Sequence, residues 1–152
     1  MKYSLILLSA LLVAACGGLS KEQQASAYSA AAEKYNPAAD EIYAEYEAAF
    51  AAATTDDDRL LAITEMYSSY AGIDRIFADD LAEVQWSSDF ANTAERLIDC
   101  VNEVYILEID VLMATDLQEA NDLADAADQK DESCDVIVDE LRSGLGLGPA
   151  PE

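Results

Sequence analysis

The chain has 152 residues, 31 Asp and Glu against 8 Lys and Arg, a formal net charge of −23 and no histidine. These counts exclude Ser-His and Cys-His nucleophiles, His-ligated haem and ordinary zinc enzymes, and they exclude nucleic acid as a partner because phosphates need basic side chains. With 52% apolar residues the chain is too hydrophobic for a disordered acidic polymer, and its length suits one domain.

The N-terminus reads Met1-Lys2-Tyr3-Ser4, then uncharged apolar residues from Leu5 to Ala15, then Cys16-Gly17-Gly18. A short positive start and an apolar segment ending in small residues form an export signal. That segment is too short for a permanent anchor, which takes about 20 residues. Val13-Ala14-Ala15-Cys16 resembles the lipobox of bacterial lipoproteins. The resemblance implies a diacylglyceryl group on the Cys16 thiol, with palmitate-type acyl chains, and cleavage just before that residue. Each buried methylene contributes about 0.8 kcal/mol, so two or three chains hold where one binds reversibly. Gly17, not Asp, follows the cysteine. In a two-membrane bacterium the family pattern then implies the outer membrane; in a one-membrane bacterium, the outer leaflet of the cell membrane. The alternatives are a soluble secreted protein with an incidental Cys16, or a retained signal anchor.

The body reads as helix almost throughout. Between Leu19 and Ser143 there is one glycine, Gly72, and one proline, Pro37, and alanine is the commonest residue. Tyr28, Ala32, Tyr35, Ala39, Ile42, Tyr46, Ala49 and Ala53 form one helical stripe. Asn36-Pro37 either kinks that helix or restarts it. Thr54-Thr55-Asp56-Asp57-Asp58 opens a second helix, with a cap hydroxyl and acids in the first turn. Its stripe is Leu60, Ile63, Tyr67, Tyr70, Phe77, Leu81 and Val84. Ser87-Ser88-Asp89 is expected to cap a third, with Phe90, Ala94, Leu97, Val101, Val104, Val111 and Leu112 inward. Thr115-Asp116-Leu117-Gln118 has a capping-box pattern for a fourth. That helix carries Leu117, Ala120, Ala124, Ala127, Cys134, Val138 and Leu141, with Gly144 ending it.

Four such stripes predict an all-α, antiparallel up-down four-helix bundle. Cys100 and Cys134 are an even pair in an exported chain and read as one inter-helix disulfide. Their midpoint, residue 117, falls at the expected turn at Thr115-Asp116. The chain then divides into a cleaved signal peptide (1–15), a lipidated N-terminus and short tether (16–22), the bundle domain (23–143) and a loose Gly/Pro tail (144–152).

No phosphate loop, zinc motif, nucleophile elbow or calcium loop is present in the sequence. What chemistry remains is carboxylate. Asp74 and Glu108 interrupt the stripes of the second and third helices. Helical drift of about 20° per heptad would slide both to the stripe's edge, with Ile73, Ile76, Ile106 and Ile109 carrying the core instead. Hairpin register also places Glu45, Glu65 and Glu108 at one level, a weak candidate site for a hard cation. The tyrosines, mostly on stripes, read as core with their hydroxyls at the rim, the alternative being an aromatic cage for a ligand. Trp86 is expected to close one end of the bundle.

Tyr35-Asn36, Trp86 between two helices and the terminal Leu145-Gly146-Leu147 are similar to features of small helical lipoproteins of unknown function in actinobacteria. Ser87 stands where those proteins often have a proline after the tryptophan. The resemblance supplies no activity. The expected function is a lipid-anchored cell-envelope protein whose bundle is a binding or interaction module. It is expected to be no enzyme and to need no cofactor, to meet the membrane through Cys16, and to have an envelope protein as its further partner. The alternative is an acidic calcium-binding envelope protein.

Overall fold

The computed structural model describes residues 18–149. The leader, Cys16 and the chain from residue 150 onward lie outside the described residues. Four helices follow one another: α1, Lys21–Ala52; α2, Asp56–Ala82; α3, Ala91–Leu112; and α4, Leu117–Leu145. Short connections force successive helices to run antiparallel, and side-chain register agrees. Lys34 of α1 pairs with Asp80 of α2, while Ala39 accepts a hydrogen bond from Tyr70. Between α3 and α4, Thr93 meets Glu140, Cys100 is bonded to Cys134, and Glu103 pairs with Lys130. The expected four-helix bundle and its disulfide are therefore both present.

Local chemistry sets the helix ends. Thr55 caps α2 in a capping box with Asp58, whose carboxylate also accepts from the Thr54 and Thr55 amides. Asp116, not Thr115, caps α4, accepting from the Glu119 amide at 2.9 Å while Glu119 accepts from Thr115. The expected Ser87-Ser88-Asp89 cap does not form: α3 starts after Phe90 without a side-chain cap. Gln24 takes Ser87 elsewhere, accepting from its amide at 3.0 Å. Pro37 neither restarts nor ends α1, which runs unbroken through it. It sits on the exposed side of the helix, where a lost backbone hydrogen bond costs least.

Both ends of the bundle domain are more tightly held than the tether and tail expected from composition. Ser20 caps α1, and Leu19 donates to the Gln85 carbonyl at 2.9 Å. A Cβ at Gly18 would lie 2.5 Å from that same oxygen, so only glycine allows this approach. Gln24, 1% exposed, also donates to the Leu19 carbonyl, joining the chain's entry to the α2–α3 connection. At the other terminus α4 passes Gly144 and ends at Leu145. Gly146 takes the left-handed conformation at φ 80°, and Leu147 donates back to Arg142. Leu145 is buried, and Arg142 holds the Gly148 and Pro149 carbonyls. Trp86 packs on this end of the core and donates its indole N–H to the Leu81 carbonyl at 2.9 Å.

The core is not continuous. One apolar cluster, built on Tyr28, Phe77, Leu81, Leu97, Leu141 and Leu145, fills the end near the α2–α3 connection. Another, built on Ile63, Tyr67, Val111, Ala120 and Ala127, fills the opposite end. Between them, on the inward face, lie Asp74 and Glu108, only 3% and 4% exposed. Neither slides to the stripe's edge. Helix α3 turns Leu97, Val101, Val104, Glu108 and Val111 inward in unbroken four- and three-residue steps, and one heptad of drift is too small to rotate Glu108 out. Ile76 and Ile106, each two residues away, are turned by about 200° and are both 57% exposed; Ile109 is exposed as well. Only Ile73 is half-buried.

Candidate functional site

Packing is uneven around the ring of helices. Helices α1, α2, α3 and α4 each pack along their neighbour in sequence, whereas α4 and α1 meet only over a short stretch. The ring is open along that seam, and its floor is the polar level on α2 and α3. Two adjoining cavities of about 340 Å³ each lie there, sharing Tyr35, Ala39, Asp74 and Asp131 as walls. The first reaches down to Glu108 and is faced by Tyr35 and Tyr43 from α1, Tyr67 and Tyr70 from α2, and Asp128 and Asp131 from α4. No Lys or Arg lines it. The second extends towards Tyr28 and Arg142, whose guanidinium lies 5.8 Å above the Tyr28 ring.

Burial controls the acid-base state of the floor. Asp74 is pushed up to about 7, chiefly by desolvation, with the Tyr35 hydroxyl beside it acting in the opposite direction. Glu108 is pushed up to about 9, first by desolvation and then by the charges of Asp74, Asp131 and Asp128. Its Oε2 is buried with no hydrogen-bond partner, a costly arrangement for a polar atom. The phenols respond in the same direction. Tyr70 is raised to about 12, mainly by desolvation. Tyr67 is raised further by the same cause and by its hydroxyl donating to Asp128 Oδ1 at 2.7 Å.

The level-matched trio expected from hairpin register does not assemble. Glu45 and Glu65 are exposed and share a shallow depression of about 70 Å³ with Ile42 and Ser69, whereas Glu108 lies buried on the cleft floor. Among the described residues no three Asp, Glu or Cys side chains converge to hold a metal ion. The site that does form was only half visible in the sequence. Asp74 and Glu108 are the residues that break the apolar stripes, and that break was the signal. Tyr28 and Tyr67 are buried in the two core clusters, and Tyr35, Tyr43, Tyr67 and Tyr70 also line the first cavity. Compared with known proteins, the chain matches no protein-family model, no curated protein sequence and no solved structure.

Proposed function

We propose that this protein is an exported, lipid-anchored binding module of the bacterial cell envelope that holds a small ligand in the α1–α4 cleft. The observation that carries the binding reading is Glu108. A bundle built only for support would fill that level with Leu, because an unpaired buried carboxyl weakens folding. Here Glu108 lines a cavity beneath the seam where α1 and α4 meet only over a short stretch. Open cavities with few convergent polar groups are the usual form of a ligand site.

The anchor reading is supported by Val13-Ala14-Ala15-Cys16, and the Cys100–Cys134 disulfide fits an oxidising compartment. No described helix is long and apolar enough to cross a membrane. Gly18 is seated on the α2–α3 connection, so acyl chains on Cys16 would hold that end of the bundle against the bilayer. The cleft would then run along the side of the bundle, with the second cavity nearer the anchored end. The residues lining the two cavities include no Ser, Thr, Lys or free Cys nucleophile, and binding is the activity proposed.

Intact-mass and native mass spectrometry of protein extracted from membranes in mild detergent test both parts. The expected mass lacks residues 1–15 and carries diacylglyceryl on Cys16, and the native spectrum shows a bound small molecule that Ala39→Trp expels. An unmodified Cys16 would overturn the anchor. A ligand-free spectrum, identical for wild type and Ala39→Trp, would overturn the binding reading.

A further inference from the structure

We propose that the cleft ligand is an aliphatic amine in its ammonium form, with di- and polyamines the best match. The inference rests on the cleft being a ligand site and names the chemistry that it would accept.

Three observations point the same way. First, Glu108 Oε2 is an unpartnered acceptor in a residue more than nine-tenths buried, and Glu108 forms part of the wall of a cavity wide enough to admit a ligand. An ammonium N–H supplies the missing donor together with the opposite charge, the strongest pairing open to a carboxylate. Second, every formal charge lining that cavity is negative: Asp74 on α2, Glu108 on α3, and Asp128 and Asp131 on α4. No Lys or Arg lines that cavity; Lys130 is paired with Glu103, and Arg142, in the adjoining cavity, donates to the Gly148 and Pro149 carbonyls. Third, the remaining walls are aromatic or aliphatic, with Tyr35, Tyr70 and Met66 among them. Tyrosine faces attract an ammonium through the ring quadrupole, and Met66, Ala127 and Val104 suit the methylenes between two ammonium groups. A bare divalent metal fits worse. It needs about six to eight oxygens at close range, which the described residues do not bring together.

Charge and proton are linked at this site. The titratable groups facing Glu108 are Tyr35 and Tyr43 from α1, Tyr67, Tyr70 and Asp74 from α2, and Asp128 and Asp131 from α4. All are acids, so the empty site favours a protonated Glu108. An arriving ammonium reverses that preference, and Glu108 gives up its proton to solvent as the amine binds.

The test is calorimetric titration of the full chain in detergent at pH 8 with putrescine and spermidine. Butane-1,4-diol, the neutral isostere of putrescine, and calcium chloride serve as controls. Running the two amines in HEPES and in phosphate, neither of which carries a primary ammonium, reads out proton release, and calcium is titrated in HEPES, where it stays dissolved. The expected result is binding of the two amines but not of the diol or calcium, with about one proton released per amine. Glu108→Gln should weaken amine binding by about tenfold or more while melting at least as high as wild type, which separates lost recognition from lost folding. Equal binding of the diol, calcium binding that depends on Glu108, or no binding of either amine would each overturn the inference. If native spectra still showed an expelled ligand in those cases, the binding reading would stand and only the amine assignment would fall.

Discussion

Glu108→Gln should stabilise the protein, and by an amount that grows with pH. The carboxyl titrates at about 9 in the folded chain against 4.5 ordinarily. Between those values the folded state holds a proton that the unfolded state has released, so stability falls as pH rises. The slope is about 1.4 kcal/mol per pH unit. The contribution is intact below about pH 4.5, declines through the neutral range and is fully lost above about pH 9. From pH 5 to pH 8 the full slope amounts to about 4 kcal/mol. Water entering through the open seam screens part of this, so about 2–4 kcal/mol is the expected cost to wild type. Gln keeps the shape and cannot ionise. At pH 5 the two proteins should unfold within about 0.5 kcal/mol of each other. At pH 8 the variant should melt about 6–15 °C higher, at about 3–4 °C per kcal/mol for a domain of this size. Urea or calorimetric unfolding of both proteins at pH 5, 6.5 and 8 measures this directly. Asp74 is present in both and largely cancels in the difference. Stability curves that run parallel across that range would refute the assignment of a buried, protonated Glu108.

Other consequences are local. Replacing Cys100 and Cys134 together by Ser frees a loop of about 35 residues and should cost about 4 kcal/mol on the chain-entropy model, read by urea unfolding of oxidised wild type against the double variant. Gln24→Ala leaves the Ser87 amide and the Leu19 carbonyl without their buried partner. It should cost about 1–3 kcal/mol and speed hydrogen exchange at Leu19 and Ser87 before the rest of the bundle. Gly72 is exposed in the middle of α2 with nothing within 4 Å of an added Cβ. Gly72→Ala should therefore stabilise by about 0.5–1 kcal/mol, and a loss of stability in thermal melts would contradict the packing described here.

Much of the scaffold is legible in the amino-acid order. Alternating steps of three and four mark the four inward faces, and the Cys100–Cys134 midpoint fixes the last hairpin within a few residues of its turn. The α2 cap follows from Thr55 and Asp58 because a capping box is closed within four residues. Where partners come from elsewhere in the chain, local pattern misleads. Ser87 is drawn to Gln24, 63 residues away, so α3 goes uncapped. Gly144 lies against the Phe90 ring and ends nothing, and the left-handed residue is Gly146. The cleft is the plainest case. The step from Val104 to Glu108 to Val111 already marks position 108 as inward. Periodicity alone does not say that α1 and α4 stand apart above it, because that spacing depends on the side chains of all four helices. The preference for hydrophobic cores then favours turning the carboxyl outward, whereas the fold keeps it on the inward face.

Glu108 is, on this reading, a buried carboxyl, uncharged in the empty cleft and charged when an ammonium fills it. Carbon-13 NMR of the glutamate side-chain carboxyls, with the Glu108 signal identified by its absence in Glu108→Gln, reads that state directly. One carboxyl should titrate near pH 9 in the free protein and move below neutrality in saturating putrescine. All glutamates titrating in the ordinary range near pH 4.5, with or without putrescine, would contradict it.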